Sequence, residues 1–166
     1  MAEGCSQNPK MGRRIGDIME FRLKKFNELT VEELYKLLRV RNEVFVVEQN
    51  CVYQDCDNKD YGAYHLFCEH EDEIIGCLRI LNRGVSYEEA SIGRVLIKEK
   101  YRHTGISKAM MVEALRFIEK ELKETEVRIS AQVYIKKFYE NVGFEVVSEE
   151  YLEDNIPHVQ MLYKKN

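Results

Sequence analysis

The feature that most constrains this fold is a strand that runs through a basic, glycine-containing loop directly into a helix, over residues 92–111 (IGRVLIKEKYRHTGISKAMM). The apolar run before Lys98 is typical of a strand, and Met111, Ala114 and Leu115 begin a helical spacing. At a helix start the backbone amides are unpaired and the helix dipole is positive. The junction therefore predicts an anion site within a mixed α/β layer structure.

The loop of this junction, residues 102–108, offers several groups to one anion. Gly105 removes the Cβ that would block close approach, and Arg102 and Lys108 add positive charge. Several amides with at least one guanidinium suit a pyrophosphate better than a single carboxylate. The alternative is that Gly105 only permits a turn and that Arg102 is a solvated surface charge. A phosphotransfer domain is not expected, because the lysine and hydroxyl of GxxxxGK[ST] are missing.

Hydrophobic spacing along the rest of the chain predicts one mixed α/β sheet with flanking helices. Thr30 and Glu33 match a capping box, and Val31, Leu34 and Leu37 are expected on the buried side of the helix that it starts. Strands are predicted at residues 20–26, 64–69, 73–81, 90–98, 126–132, 144–147 and 159–163, further helices at 107–122 and 133–141, a second helix or a broken one over 39–48 and an ordered loop over 49–62. The strands between residues 64 and 98 are expected to form an antiparallel meander.

Length and composition set the domain organisation. With 166 residues, of which 45% are hydrophobic and 33% charged, the chain can bury one core. We predict a single domain over residues 19–166, preceded by a tag, linker or disordered terminus over 1–18. The net charge of -4 gives no reason to expect nucleic-acid binding through the overall field. No apolar run approaches the ~20 residues that span a bilayer, so no membrane partner is expected.

Cysteine and histidine usage predicts a reduced protein without a metal. The five cysteines are odd in number and irregularly spaced, which suits neither a disulfide framework nor paired zinc ligands. Reduced thiols are typical of the cytoplasm, where we expect the protein. The four histidines lack the short spacing of metal ligands on one element, such as HExxH. No metal site is predicted.

Two motifs in the same order and spacing resemble the GNAT superfamily of acetyltransferases. The acetyl-CoA loop of that family, Q/R-x-x-G-x-G/A, is matched by Arg102, Gly105 and Ser107, although Ser107 replaces the usual final Gly or Ala. Residues 138–144 (FYENVGF) resemble its FYxxxGF segment. More narrowly, residues 41–60 (RNEVFVVEQNCVYQDCDNKD), 92–95 (IGRV) and 156–161 (IPHVQM) resemble the ElaA branch, and the likeness covers residues 19–165.

The resemblance implies a mostly antiparallel sheet that is splayed between its fourth and fifth strands, with acetyl-CoA as cosubstrate. The pantetheine would bond to the strand-four backbone at Val95, Leu96 and Ile97. The pyrophosphate would lie on Arg102, His103, Thr104, Gly105, Ile106, Ser107 and Lys108. The implied activity is direct transfer of an acetyl group to a primary amine, by a monomer or a homodimer. A non-catalytic sensor that binds acyl-CoA is the alternative, which Ser107 and the unidentified base leave open.

The resemblance also implies a proton donor. Tyr139 would donate a proton to the departing CoA thiolate, or else it is simply packed beside Phe138 in the core. The attacking ammonium must first lose a proton, because it has no lone pair. Glu48 is our candidate base because it lies beside an apolar run that would shield it from water; an ordinary surface carboxylate is the alternative.

Three further residues are tentative contacts of the acceptor. Asp55 and Asp57, together with Asp60, would form an acidic rim that attracts a cationic amine, although an acidic loop is more often just solvated. His158 lies within the IPHVQM string and could shuttle a proton, although a hydrogen-bonded structural histidine is commoner. No cysteine is marked as an activated nucleophile, and direct transfer needs none.

Overall fold

The computed structural model describes residues 19–165 and builds them around one eight-stranded sheet. The strands are β1 (Glu20–Lys25), β2 (Tyr64–His70), β3 (Glu73–Leu81), β4 (Ala90–Ile97), β5 (Glu126–Gln132), β6 (Phe144–Val146), β7 (Tyr151–Glu153) and β8 (Ile156–Lys164). The α-helices are α1 (Val31–Arg41), α2 (Ile106–Phe117) and α3 (Lys136–Glu140), and π-helical turns at Asn42–Glu48 and Ile118–Leu122 extend the first two. The segment predicted to precede the domain, residues 1–18, lies outside the described residues, as does Asn166.

The sheet has the strand order β1-β2-β3-β4-β5-β8-β6, and β7 pairs with one end of β8. Every pair of neighbours is antiparallel except β4 and β5, which are parallel. These two strands pair only at Ala90 with Val127 and at Ser91 with Arg128. Both strands then continue, to Ile97 and Gln132, without pairing with each other. The predicted mostly antiparallel sheet, splayed between its fourth and fifth strands, is confirmed.

The first helix begins at the predicted capping box. The Glu33 amide donates to the Thr30 hydroxyl over 3.1 Å, and the Thr30 amide donates to the Glu33 carboxylate over 2.8 Å. Lys24 of β1 also donates to Glu33, over 2.6 Å, which ties the helix start to the sheet. The prediction for Val31 was wrong: it is 87% exposed, because the first helical residue after the cap faces solvent, whereas Leu37 is buried.

The sheet separates two apolar clusters, because alternate residues of a strand point to opposite faces. Phe67 and Cys77 pack with α1 residues on what we call the α1 side. Leu66 and Leu78 pack with α2 residues on the α2 side. The larger cluster is on the α2 side and also takes in residues of β5 and β8, namely Val127, Ile129, Ala131, Val159 and Met161. The residues of β5 and β8 between them, which are polar for the most part, consequently face the α1 side.

The sequence prediction missed one hairpin. β8 begins at Ile156 instead of residue 159, and β7 pairs with it through a two-residue turn, Asp154 and Asn155. Both turn residues have positive φ angles, of 49° and 62°, as a tight hairpin turn requires. The predicted helix at 133–141 is a 3-10 turn followed by the five residues of α3. The other predicted strands and the helix at 107–122 are present, with ends shifted by at most one residue.

Gly76 of β3 lies where α2 crosses the sheet. A Cβ there would lie 2.4 Å from Ile97 Cδ1, 3.1 Å from Met110 Sδ and 3.2 Å from the Leu96 carbonyl oxygen. We expect Gly76→Ala to lower the free energy of unfolding by about 1–3 kcal/mol through overpacking. Gly93 of β4 has no atom within 4 Å of an added Cβ, so Gly93→Ala is the matched control. Urea unfolding measures both, and equal midpoints for the two variants would contradict the prediction.

Candidate active site

The loop between β4 and α2 forms an open, uncapped helix start. His103 and Gly105 have positive φ angles, of 63° and 89°, and Gly105 is the N-cap of α2. No side chain caps α2 and no acidic residue lies in its first turn, in contrast to the capping box of α1. A Cβ added to Gly105 would meet no atom within 4 Å. The first amides of α2 therefore face a space into which an anion fits.

The residues predicted to hold CoA occupy two adjoining segments. Leu96 and Ile97 are buried at the end of β4, and Val95 is half-buried, all within the part of β4 that has left β5. In the loop His103, Thr104 and Lys108 are exposed and Ser107 is half-buried, whereas the Ile106 side chain packs into the α2-side cluster. The Thr104 hydroxyl donates to the Tyr101 carbonyl over 2.6 Å, which fixes the loop internally.

Two predicted site residues, Arg102 and Glu48, form an ion pair. Arg102 Nη2 donates to Glu48 Oε1 over 2.6 Å, and Arg102 Nε donates to the Ile97 carbonyl oxygen over 3.0 Å. Glu48 ends the π-helical turn after α1 and is exposed. The apolar shielding expected for Glu48 is therefore absent. Its carboxylate instead binds the guanidinium of Arg102, which was predicted to bind phosphate.

A β-bulge interrupts β4 next to this loop. β3 advances two residues from Cys77 to Arg79 while β4 advances three, from Gly93 to Leu96, so β4 carries one extra residue. Arg94 at the bulge has a φ of 54°, which is unusual for a residue other than glycine. Asp55 holds this residue: Arg94 Nε donates to Asp55 Oδ1 over 2.7 Å, and Nη2 to the Asp55 carbonyl over 2.9 Å.

The acidic loop is anchored by arginines. Arg41 of α1 donates to Asp55 over 2.8 Å and to Asp60 over 2.7 Å. Arg79 of β3 binds Asp57 through two hydrogen bonds of 2.6 and 2.8 Å. With Arg94, these residues form an ionic network of three arginines and three aspartates. The loop therefore presents no free acidic rim, and amine binding by Asp55 or Asp57 stays a prediction without a supporting contact.

The network changes the acidity of its carboxyl groups. Burial alone would raise the pKa of Asp57, but the hydrogen bonds and charge of Arg79 outweigh burial and lower that pKa far below its usual range. Arg41 outweighs burial at Asp60 in the same way, so the pKa of Asp60 is also lowered. Groups with a lowered folded-state pKa stabilise the fold above their unfolded pKa of about 3.9. This stabilisation is lost as the pH falls through the folded pKa.

We expect Asp57→Asn to lower the free energy of unfolding at pH 7 by about 1.5–3 kcal/mol, because the buried Arg79 loses its two-bond partner and keeps only Asp60, at 3.1 Å, as an ionised one. The difference from the wild type stays constant between pH 7 and about pH 5 and shrinks below about pH 4. Urea unfolding across that range measures it, with the exposed Asp72→Asn as the matched control. A difference that grows in acid would contradict the role assigned to Asp57.

Tyr139 of α3 is only 5% exposed and packs on the α2 side between Phe138 and Phe144, with ring centroids 5.1 and 5.9 Å away. Burial raises the pKa of Tyr139 well above its ordinary value. Its hydroxyl therefore keeps its proton at neutral pH, as a proton donor must. Within residues 19–165 that hydroxyl has no hydrogen-bond partner. The packing foreseen as the alternative role is thus compatible with proton donation.

Polar side chains gather on the α1 side at the far end of β5. Ser130 Oγ lies 2.6 Å from the Tyr151 hydroxyl and 2.7 Å from Glu153 Oε2. His158 is 8% exposed and stacks on Tyr151 with centroids 6.1 Å apart. We call Ser130, Tyr151, Glu153 and His158 the hairpin cluster. They come from β5 and the β7–β8 hairpin, which the sequence prediction missed; the polar alternation of β5 and β8 was the available signal.

The start of the acidic loop reaches across to this cluster. Gln132 at the end of β5, the register partner of His158, donates to the Gln49 side chain over 3.3 Å. Cys51 Sγ lies 3.9 Å from the carbonyl oxygen of Asp154 in the hairpin turn. The segment after Glu48 therefore spans the separated ends of β4 and β5 on the α1 side. It therefore lies between the bulge of β4 and the hairpin cluster.

Other chemistries find little support within residues 19–165. Burial raises the pKa of Cys68 to about 11 and that of Cys77 to about 12, so neither is a thiolate at neutral pH. No group of three or more His, Cys, Asp or Glu side chains in this part of the chain is arranged to hold a metal ion. None of its helices has the length and apolar character needed to cross a bilayer.

Comparison with known families decides the assignment. The family model of an acetyltransferase (GNAT) domain matches residues 23–165. The chain belongs to the GNAT acetyltransferase family. Among relatives, Protein ElaA of Escherichia coli is 38% identical over 137 residues, which is 81% of this chain and 90% of that protein. This GNAT chain therefore resembles ElaA over most of its length, as its sequence motifs predicted.

Solved structures agree with this GNAT assignment. The crystal structure of Escherichia coli ElaA superposes with a TM-score of 0.81 at 37% identity, covering 87% of this chain and 99% of that chain. The crystal structure of an acyl-CoA N-acyltransferase from Pseudomonas aeruginosa also has a TM-score of 0.81 at 37% identity, covering 86% and 98%. The predicted GNAT fold, a mixed sheet flanked by helices, and the predicted enzyme class of acyltransferase are both confirmed.

Proposed function

We propose that this GNAT enzyme transfers an acetyl group from acetyl-CoA to a primary amine by direct attack. The observation that carries the proposal is the separation of β4 from β5, which ends at the uncapped start of α2. A chain lying along the separated part of β4 meets backbone near Val95 that does not pair with β5, and a pyrophosphate at its far end meets the first amides of α2. Acetyl-CoA has that shape and charge.

Acetyl-CoA binding is expected to release Arg102 from Glu48. The guanidinium can make bidentate hydrogen bonds to a phosphate, and the carboxylate it holds at 2.6 Å carries less charge than a pyrophosphate. Glu48 then becomes free next to the bound cosubstrate. Its role as general base stays a prediction, and its pairing with Arg102 supports a second role, in which it holds Arg102 in place before CoA arrives.

The reaction itself needs a polarised carbonyl and a protonated leaving group. The bulge of β4 turns backbone amides near Val95 out of the strand ladder, and such amides can stabilise the oxyanion of the tetrahedral intermediate. Tyr139 supplies the proton to the CoA sulfur. No covalent acyl-enzyme is involved. The free thiols of Cys51, Cys56, Cys68 and Cys77 suit the reducing cytoplasm, where we propose that the enzyme works.

The double variant Arg102→Ala, Gly105→Trp is expected to lose saturable binding of acetyl-CoA. It removes a charged hydrogen-bond donor, worth about 1.5–3 kcal/mol, and fills the open space beside Gly105. Isothermal titration calorimetry measures the binding, and Arg83→Ala, an exposed arginine on the β3–β4 connection, is the control. Absence of binding to the wild type would overturn the proposed function. Saturable binding of acetyl-CoA, with no release of CoA when any amine is offered, would favour the acyl-CoA sensor.

Tyr139→Phe is expected to lower kcat by about 10²-fold or more while the affinity for acetyl-CoA stays unchanged. The substitution removes only the hydroxyl, so the packing against Phe138 and Phe144 is kept. Steady-state release of CoA, detected with a thiol reagent, measures kcat, and calorimetry measures the affinity. Phe138→Leu, which leaves the hydroxyl in place, serves as a packing control. Unchanged kcat in Tyr139→Phe would leave Tyr139 with a packing role only.

A further inference from the structure

The hairpin cluster has no part in acetyl-CoA binding as proposed above, yet it lies beside the separated end of β5. We propose that Ser130, Tyr151, Glu153 and His158 form the acceptor subsite, that the acceptor binds there as a cationic amine, and that Nε2 of His158 takes its proton. This inference rests on the proposed acetyl transfer. It assigns to His158 the base role that Glu48 was expected to have.

The hydrogen bonds of His158 fix which ring nitrogen can take a proton. Its Nδ1 lies 2.7 Å from the carbonyl oxygen of Ile156, and a carbonyl oxygen only accepts, so Nδ1 must carry a hydrogen. In the neutral ring the lone pair is then on Nε2. No residue between 19 and 165 lies within hydrogen-bond distance of Nε2, although the side chain is more than nine-tenths buried. One ring nitrogen, Nε2, is therefore without a partner among these residues, and it can accept a proton.

The other three residues of the hairpin cluster form a hydrogen-bonded series that ends at an acceptor, the exposed carboxylate of Glu153. The Glu153 carboxylate can only accept, so the Ser130 hydroxyl donates to it. Ser130 Oγ has then spent its single hydrogen, so the Tyr151 hydroxyl must donate to Ser130. Both hydroxyl hydrogens of this hydrogen-bonded series, that of Tyr151 and that of Ser130, therefore point toward Glu153. The hairpin cluster thus offers a ligand a carboxylate and an imidazole lone pair, which suits an ammonium group and opposes a carboxylate.

The surrounding charges favour the same class of ligand. Residues 141–163 contain five acidic residues and no lysine or arginine. The acidic residues, all exposed, are Glu145, Glu149, Glu150, Glu153 and Asp154. Arg128 on the same side of β5 is held by Glu89 over 2.6 and 2.9 Å, so its charge is offset. The titratable groups around the hairpin cluster, besides its own Tyr151 and Glu153, are Tyr87 of the β3–β4 connection, which faces both of them, and Cys51 of the loop against the hairpin turn.

His158 and Tyr139 lie on opposite sides of β5, which suits the two proton transfers. The acceptor ammonium gives one proton to His158 Nε2, and its lone pair forms the C–N bond with the thioester carbon. The C–S bond breaks, its electron pair leaves on sulfur, and sulfur takes the hydroxyl proton of Tyr139. The second proton on nitrogen restores that hydroxyl, and His158 releases its proton to solvent. Ammonium and acetyl-CoA thus give amide, CoA and one proton.

The test compares butylamine with O-propylhydroxylamine, which replaces the CH₂ beside nitrogen by oxygen and is uncharged at pH 7. With butylamine, His158→Gln is expected to lower kcat/KM by about 10²–10⁴-fold and to abolish the acidic limb of the pH profile. With O-propylhydroxylamine the loss is expected to be only a few-fold, because this nucleophile needs no base. The KM for acetyl-CoA stays unchanged. Equal losses with the two amines, or none, overturn the assignment.

A second measurement uses the wild type and the surface variant Glu153→Gln. The wild type is expected to prefer butylamine over 4-aminobutanoate, whose carboxylate faces like charge, by on the order of tenfold or more. Glu153→Gln is expected to narrow that preference while leaving acetyl-CoA affinity unchanged. A wild type that acetylates the two equally overturns the cationic class. This readout stands even where His158→Gln fails to fold.

The outcomes separate this inference from the function on which it rests. A wild type that binds no acetyl-CoA by calorimetry overturns both. A wild type that binds acetyl-CoA and releases CoA with other primary amines but not with butylamine overturns the acceptor subsite alone. Glu48→Gln is measured in parallel: a loss with butylamine that is absent with O-propylhydroxylamine, found in Glu48→Gln and not in His158→Gln, makes Glu48 the base and overturns the role of His158.

Discussion

The architecture depends on the parallel pairing of β4 with β5, which ends after two residue pairs. β4 and β5 are the one parallel pair among the described strands, and they are hydrogen-bonded only at Ala90–Val127 and Ser91–Arg128. Parallel neighbours need a crossover connection, and here it leaves the far end of β4 and contains α2. The separated strands therefore open toward the start of α2. Backbone that a sheet would normally satisfy internally becomes available to a ligand.

The ionic network holds the β4 side of this opening in place. Arg41 comes from α1, Arg79 from β3 and Arg94 from the bulge of β4, and all three converge on one loop. Such a network costs desolvation free energy, so it stabilises only where each group is paired. Its main consequence is geometric: Asp55 fixes the bulge of β4 and the covering loop in one arrangement. The positive φ of Arg94 is maintained by these contacts.

The fold was largely predictable because its signals are local. The capping box at Thr30, the helical spacing after Ser107, the apolar run of β3 and the alternation in β5 each lie within a few residues, and each element is where they predicted it. The short β7 carried no alternation long enough to notice, and its turn, Asp154–Asn155, lacks the glycine that usually marks a hairpin. The exposed Val31 shows that spacing alone does not fix which helical face is buried at a helix end.

The site was predictable where it depends on backbone and less so where it depends on distant partners. Gly105 indicates an open helix start from sequence alone, because φ and the missing Cβ are local properties. The loop aspartates looked like a free acidic rim because their partners, Arg79 and Arg94, are 22 and 39 residues away along the chain. Glu48 looked shielded for the same reason, since its partner Arg102 is 54 residues away. Charge that is paired through the fold cannot be distinguished from free charge by local sequence.

The placement of side chains on the two sides of β5 bears on how direct transfer can work. Val127, Ile129 and Ala131 face the cluster that contains Tyr139, so in the proposed transfer the leaving thiol would be protonated from an apolar side, where the phenol keeps its proton. Ser130 and Gln132 face the α1 side, where polar groups and the acidic hairpin lie beside the separated end of β5. One strand thus separates a dry region that donates a proton from a polar region suited to accept one. Because the acyl carbon would lie between them, the first deprotonation of the amine and the protonation of the thiol would use different groups.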